Sequence, residues 1–247
     1  MGIKYRVDED LAFLAYCKEE DLRILAGYLT HDKDGSARIA SELLEDKDFK
    51  RYDGHKEQYR QCWKLIAGEL QHFGGDTIVN LFRGDGVLYK EILSDVCDNQ
   101  NVKTGKNSSA YDMENKLLEK FIGDAWEKLS AEQRASLLKE FDINKMSRDG
   151  EGLALLKAAL MSGGIGSLQI SALIASSAAS MFAGRAIGVI ATGGLGRSLA
   201  MFAGPIGLAV SAALTVPAIS GAAYRVTIPS VVQVAYMRRE CETRDFF

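Results

Sequence analysis

Apolar side chains return every three or four positions through the first 150 residues of the chain, with almost no strand-like alternation. This period puts apolar side chains on one face of a helix and charged side chains on the other. The pattern therefore predicts an all-α fold that begins with a series of short amphipathic helices. The predicted helices cover residues 10–17, 21–28, 36–44, 55–72, 77–82, 87–96, 111–129 and 131–141.

Several predicted helices have end signals in the sequence. Ser36 is a candidate N-cap, and Ser130 followed three residues later by Gln133 has the form of a capping box. The glycine pair at 74–75 ends the helix predicted over 55–72, because glycine readily adopts the left-handed conformation that closes a helix.

Charge disappears from the C-terminal part of the chain. Between Lys157 and Arg225 there are two charged side chains, Arg185 and Arg197. They separate two uncharged runs of 27 residues each. A helix of that length reaches about 40 Å, more than the roughly 30 Å of a bilayer core. The composition predicts a hydrophobic helical hairpin with both arginines at its turn.

Two interpretations of this hairpin remain open. Its residues are mostly Gly, Ala and Ser, which contribute little transfer free energy each. A helix that is apolar all round belongs either in a membrane or in a large protein core. The hairpin can therefore contact lipid or lie buried inside a soluble fold.

Small residues recur at every fourth position through the hairpin, among them Gly184, Gly188, Gly196 and Gly204. This spacing lets helix backbones approach closely, as in the association of membrane helices. It predicts tight helix packing and favours a homo-oligomer, although the partner helix can also belong to the same chain.

A final amphipathic helix is predicted after the hairpin, with Pro229 in its first turn and Arg238 and Arg239 near its C-terminal end. Tyr224 is the last residue of the second uncharged run, and Arg225 follows it. Both side chains suit the depth of lipid headgroups, and the alternative is that they cap the N-terminus of the final helix.

The charge balance suggests two parts. Residues 1–151 hold 30 acidic and 23 basic side chains, whereas residues 152–247 hold 3 and 7. We predict a charged amphipathic helical domain over 1–150, and the hairpin with the C-terminal helix over 151–247. The mild positive excess suits anionic lipid of the inner leaflet and is too small for a nucleic-acid interface.

The N-terminal ten residues are charged where a signal peptide needs an apolar core, which predicts a cytoplasmic protein that associates with the inner membrane. The cysteines, Cys17, Cys62, Cys97 and Cys241, are far apart in the sequence and form no Cys-x-x-Cys pair. They are predicted to be reduced thiols, buried or half-buried.

Catalytic and metal-binding motifs are sparse. Glu69 and His72 form one Glu-x-x-His step, whereas a di-iron site in a helix bundle normally uses two. The glycine-rich stretch 193–198 lacks the lysine of a phosphate loop. We expect no cofactor, no bound metal and no enzymatic activity; a metal-dependent oxidase using Glu69 and His72 is the enzymatic alternative.

A partner surface is a further possibility on the helix predicted over 55–72 and just beyond it. Trp63, Glu69, His72 and Phe73 combine aromatic and polar side chains, as protein interfaces often do. The alternative is that Trp63 and Phe73 belong to the core.

Two blocks carry a family resemblance: LIAGELQHFGGD at 65–76, continuing through 83–96, and AYRVTIP at 223–229. They resemble the bacterial YaaW family, and the similarity extends to residues 10–29. That family is distantly grouped with the ubiquinol-cytochrome c chaperones, helical proteins that assist assembly of a membrane respiratory complex. The resemblance implies a helical fold and assigns no chaperone or catalytic residue.

Together these patterns predict a non-enzymatic, membrane-associating and self-assembling protein with a membrane-inserting hairpin, whose role would be to perturb membranes in stress or defence. Like helical pore-forming proteins, it would shelter the hairpin inside amphipathic helices until release. The alternative is a soluble chaperone-like module in which residues 153–222 form a buried central hairpin.

Overall fold

Helices account for almost all regular structure in the described part of this protein. The computed structural model describes residues 3–32, 34–39, 41–75, 86–141, 151–182, 205–214 and 223–244. These segments contain eleven α-helices and two 3₁₀ helices, and their extended pairing is limited to one antiparallel bridge between His31 and Ala37. The all-α prediction is confirmed.

The first part of the chain holds a 3₁₀ helix, Ala12–Tyr16, and a second one, Leu43–Glu45. The α-helices in chain order are α1 (Glu19–Thr30), α2 (Lys47–Arg51), α3 (Gln58–Gln61), α4 (Trp63–Gly75), α5 (Tyr89–Asn99), α6 (Ala110–Lys128), α7 (Ala131–Glu140), α8 (Gly152–Met161), α9 (Gly164–Phe182), α10 (Pro205–Ala213) and α11 (Tyr224–Arg244).

Helix starts follow local chemistry where the sequence supplies a cap. The predicted capping box at α7 is confirmed, because Ser130 Oγ accepts from the Gln133 amide at 3.3 Å and Gln133 Oε1 accepts from the Ser130 amide at 2.8 Å. A second box, of Ser109 and Asp112, begins α6. These bonds satisfy amide groups that the first helical turn leaves without partners.

The helix predicted over 36–44 is wrong. Ser36 donates its amide and its hydroxyl to Asp34 Oδ1, and the preceding Gly35 has a positive φ of 85°. The chain then pairs back onto the end of α1, where the Arg38 amide donates to the Thr30 carbonyl at 2.8 Å. A side-chain turn has replaced the expected helix start.

Other predicted helices differ in their bounds. The helix predicted over 55–72 is divided into α3 and α4, and the helix predicted over 10–17 is a 3₁₀ helix. The helix predicted over 77–82 lies outside the described residues.

The last helix, α11, differs most from its prediction. Every side chain from Val226 to Met237 is buried, so this stretch is enclosed on all sides instead of having one apolar face. The helix also begins earlier than expected, which puts Pro229 inside it and not in its first turn. Because proline has no amide hydrogen, the usual bond to the Arg225 carbonyl is missing there.

α11 lies at the centre of the described structure. It packs along α9 and also contacts α1, α4, α5 and α6. The helices α8, α9 and α10 complete the other side, where they pack against α6 and one another. Both predicted parts of the chain therefore meet on α11. The predicted boundary itself stays a prediction, because residues 142–150 lie outside the described residues.

Candidate functional site

The helix α9 is 19 residues long and contains no charged residue. Its 18-residue stretch Gly164–Met181 is long and apolar enough to cross a membrane, and no other helix of the described residues meets the same test. The protein's own helices bury 56% of this stretch. A core helix of a soluble protein has the same properties, so its surroundings decide what α9 can do.

Within the described part of the chain, four helices cover α9: α6, α8, α10 and α11, called the covering helices below. The contact is closest from Ile170 onwards, where Ile170, Leu173, Ile174 and Ala178 are fully buried. The beginning of the helix is more open, and Ile165 is 55% exposed. The contacts that hold α9 are thus mainly apolar.

The hydroxyl groups of α9 mostly bond to α9 itself. Ser171, Ser176, Ser177 and Ser180 each donate to a carbonyl three or four residues earlier, at 2.8 to 3.0 Å. A hydroxyl that is satisfied inside its own helix needs no partner from water or from another helix. These serines therefore do not tie α9 to its surroundings.

Two hydrogen bonds described here join α9 to its neighbours. Ser211 of α10 donates to the Ser177 carbonyl at 3.2 Å, and Arg239 of α11 donates from Nε to Ser167 Oγ at 3.1 Å. Arg239 is 1% exposed. Its guanidinium also donates to the Asn115 side chain and lies 5.2 Å from the centre of the Tyr111 ring.

A buried ionic network lies beside this contact. Glu114 of α6 is fully buried and accepts from Arg238 Nε at 3.0 Å and from the Tyr89 hydroxyl at 2.9 Å. Arg238 also donates to the Asp10 carbonyl at 2.8 Å. This set, called the Glu114 network, joins α5, α6, α11 and the N-terminal segment.

The network supports the charge of its arginine. Burial opposes the charged guanidinium of Arg238, but the carboxylate of Glu114 and its hydrogen bonds outweigh that effect, so the pKa of Arg238 is raised. Burial, with the neighbouring Glu114 carboxylate, raises the pKa of Tyr89 well above its ordinary value. Tyr89 therefore remains a neutral donor at physiological pH.

A second buried polar cluster joins α1 to α11. Asp21 and Glu240 each have one buried carboxyl oxygen that has no hydrogen-bond partner among the described residues, and the two carboxyl groups are close enough to interact electrostatically. Burial, together with the Glu240 carboxylate, raises the pKa of Asp21 to about 8. Lys18 forms an ion pair with Glu240. We infer that a proton on Asp21 bridges the two carboxyl groups, because two carboxylates alone would repel.

The residues predicted for self-association fall mainly outside the described residues. This applies to Gly184, Arg185, Gly188, Gly196, Arg197 and Gly204. Tyr224 and Arg225 are described and occupy the first turn of α11, with Tyr224 half-buried and Arg225 exposed. Capping of the final helix by these two residues stays a prediction. Contact with headgroups stays a prediction.

The predicted partner surface on α4 is partly core. Glu69 is 1% exposed, and its Oε1 accepts from the Glu42 amide at 3.0 Å. Phe73 is buried as well, so neither side chain is free to meet a partner in this structure. Trp63 is half-buried against Tyr5, with ring centres 5.5 Å apart. His72 is also half-buried.

The described part of the chain provides no set of ligands for the alternative of a metal-dependent oxidase. There, no group of three or more His, Cys, Asp or Glu side chains is arranged to hold a metal ion. Burial raises the pKa of Glu69, and its hydrogen bonds are used to hold the segment before the second 3₁₀ helix.

The sequence pattern missed the Glu114 network and the Asp21–Glu240 pair. One signal was present: Glu114 lies between Met113 and Leu117 on the buried face of α6. An acidic residue on an apolar face requires a buried partner. The sequence does not show that Arg238 is this partner, because Arg238 follows Glu114 by 124 residues.

Comparison with known proteins gives a consistent result along the chain. Residues 5–39 match a family model described as a domain of unknown function, DUF3944. Over 242 residues the chain is 40% identical to UPF0174 protein YaaW of Escherichia coli K12, covering 97% of each protein. Over 237 residues it is 33% identical to a UPF0174 protein of Helicobacter pylori J99, covering 95% of this chain and 92% of the relative. No solved structure matches.

Proposed function

The chain belongs to the UPF0174 family, and we propose that this member is a non-enzymatic, membrane-associating helical protein that self-assembles through its Gly/Ala-rich hairpin. In this proposal the described structure is the sheltered form, in which the covering helices keep α9 from lipid. The observation that carries the proposal is a helix of membrane-spanning length whose serine hydroxyls are mostly satisfied within the helix itself.

Release of α9 would require little polar rearrangement. The two described hydrogen bonds that cross to it, from Ser211 and Arg239, must break. Its other contacts are mainly apolar, and lipid chains can replace them because they are as apolar as leucine. The backbone of α9 is satisfied within the helix, as a membrane requires of any spanning segment.

The hairpin arginines set the geometry of insertion. An arginine at the bilayer centre costs about 2.5–3.5 kcal/mol on insertion scales. Arg185 and Arg197 would therefore lie at the hairpin tip or line a polar assembly. The small residues at 184, 188, 196 and 204 would let neighbouring hairpins pack closely after insertion. A membrane-perturbing role in stress or defence would follow.

Flotation with liposomes tests the proposal. Leu208 of α10 is 70% exposed and lies in the second uncharged run, so Leu208→Asp should leave the sheltered fold intact. In lipid the new carboxylate costs about 2.5–3.5 kcal/mol near the bilayer centre, and we expect at least about tenfold lower partition into anionic liposomes. Leu208→Asp should also release less of a dye trapped inside the liposomes than the unaltered protein does.

Ile39→Asp is the matched control, since Ile39 is also an exposed apolar residue but lies outside the hairpin. It should float and release dye like the unaltered protein. Circular dichroism checks that all three proteins are equally helical. Failure of the unaltered protein to float, or equal flotation of Leu208→Asp, would contradict the proposal.

A second candidate function is a chaperone-like interaction module in which the hairpin stays buried. The extensive burial of α9 and α11 favours it, and Trp63 would contribute to the partner surface. A protein that is monodisperse without detergent and binds no liposomes would support this candidate instead.

A further inference from the structure

Two cysteines from opposite ends of the chain meet at the surface of the fold. Cys17 follows the first 3₁₀ helix, and Cys241 lies in the last turn of α11. Their sulfur atoms are 3.5 Å apart. A disulfide needs about 2 Å, so closure requires a movement of about 1.5 Å, which side-chain rotation can supply.

The two thiols have different surroundings. Cys17 is 1% exposed, whereas Cys241 is half-exposed. Arg244 donates from Nη2 to Cys241 Sγ at 2.9 Å and, from the same atom, to the Tyr16 carbonyl at 2.9 Å. Cys241 is thus the accessible sulfur beside a cation, and Cys17 is the covered sulfur behind it.

These contacts favour a thiolate on Cys241. Hydrogen bonding from Cys17 and the Arg244 guanidinium outweigh burial and lower the pKa of Cys241 to about 7. The pKa of Cys17 is raised by its hydrogen bond to Cys241 and by burial. A thiolate is the nucleophilic form of cysteine, so Cys241 reacts first and Cys17 second.

Solvent reaches the pair from two adjoining clefts. One, of about 820 Å³, is lined by Cys17, Arg60 and Arg244 among others, and the second, of about 590 Å³, by Cys241 and the same two arginines. A small oxidant can therefore approach Cys241 through the second cleft, which is lined by Arg60, Arg238 and Arg244 and by one carboxylate, Glu242.

The remaining cysteines serve as internal references. Cys62 and Cys97 are buried, and each lacks a cysteine neighbour among the described residues. Burial raises the pKa of Cys62 to about 11 and that of Cys97 to about 12. Both should remain unreactive thiols.

We propose that Cys241 and Cys17 form a hydroperoxide-reactive dithiol site, with Cys241 as the attacking thiolate and Cys17 as the resolving thiol. The Cys241 sulfur attacks one oxygen of hydrogen peroxide, the O–O bond breaks, and hydroxide leaves and is protonated to water. The Cys17 sulfur then attacks the Cys241 sulfenic acid, the S–O bond breaks, and a second water carries away the Cys17 proton. Two thiols are oxidised to one disulfide, and one peroxide is reduced to two waters.

Thiol counting on the full-length protein tests the proposal. After treatment with a slight molar excess of hydrogen peroxide, the denatured protein should show two free thiols in place of four, and peptide mapping should join Cys17 to Cys241. In Cys17→Ser a sulfenic acid should accumulate on Cys241 and be trapped by dimedone. In Cys241→Ser the other three thiols should survive.

Two controls separate this chemistry from general oxidation or misfolding. The double variant Cys62→Ser/Cys97→Ser should form the same disulfide, and Arg244→Gln should slow oxidation of Cys241 by about tenfold because less thiolate is present. Peptide mapping of the unaltered protein needs no variant to fold. Four surviving thiols, a different cysteine pair, or equal thiol loss in Cys241→Ser would overturn the proposal.

Discussion

At the scale of single residues, buried carboxyl groups shape the response of this protein to pH. Asp21 and Glu240 lie against each other between α1 and α11, with Lys18, Cys17 and Tyr236 as ionisable neighbours. Two neighbouring buried carboxylates repel each other, and the proton on Asp21 removes the repulsion. The fold therefore contains a carboxyl group that remains protonated close to neutral pH.

This arrangement predicts that stability falls as pH rises. The pKa of Asp21 is about 8 in the fold against an ordinary value of 3.8. Between those values folding takes up a proton, so the free energy of unfolding decreases with pH and levels off above about pH 8. Asp21→Asn keeps a donor for Glu240 and should be more stable than the unaltered protein at pH 7.5 by at least about 1 kcal/mol.

Urea denaturation at several pH values from 5 to 9 measures this difference, which should grow with pH. Asp53→Asn is the matched control, because Asp53 is exposed and its replacement should change stability little at any pH. A constant difference between Asp21→Asn and the unaltered protein across the range would contradict the shared proton.

At the scale of helices, close approach of backbones decides where small residues are required. Gly68 of α4 lies against the N-terminal segment. A Cβ atom at that position would lie 2.6 Å from Ile3 Cγ2 and 3.2 Å from the Lys4 carbonyl oxygen. Gly123 of α6 has room instead, since its nearest such neighbour is Lys157 Cε at 3.7 Å.

The two glycines should respond oppositely to alanine. Gly68→Ala should lower the free energy of unfolding by about 1 kcal/mol, because overpacking costs about 1–3 kcal/mol and improved helix propensity returns part of it. Gly123→Ala should raise it by up to about 1 kcal/mol. Thermal or urea unfolding measures both; a stabilised Gly68→Ala protein would show that α4 does not press on the N-terminal segment.

Helix α11 shows what periodicity alone does not reveal. The sequence pattern predicts that its arginine pair interacts with the C-terminal end of the dipole of an amphipathic helix. The structure instead buries Arg239 and directs Arg238 to Glu114. Two buried charges of opposite sign stabilise each other only when they meet with good geometry.

At the scale of the whole molecule, the Cys17–Cys241 contact joins the two ends of the chain. If the dithiol site closes, the disulfide links residues 224 positions apart. In the chain-entropy model such a loop raises the free energy of unfolding by up to about 5 kcal/mol, through restriction of the unfolded state. Oxidised protein should therefore unfold at a higher urea concentration than reduced protein.

The urea midpoint is measured on the same sample before and after peroxide treatment. Cys241→Ser is the control, and its midpoint should not change. A midpoint that is unchanged or lower in the oxidised protein would contradict the expected stabilisation. Because α11 packs against α9, the disulfide should also keep α9 packed against the covering helices. Less of the oxidised protein than of the reduced protein should therefore float with liposomes.

The sequence alone determined the helical class, the cap that begins α7 and the uncharged character of α9, because these depend on residues within a few positions of one another. It failed at Ser36, where a local turn competed with a helix, and at Pro229, which α11 accommodates inside a buried helix. Only the tertiary structure decided that α11 is central, that Glu114 meets Arg238 and that Cys17 meets Cys241. Those contacts join residues more than 120 positions apart, and their partners are selected by how whole helices pack, which a local pattern of polar and apolar positions does not record.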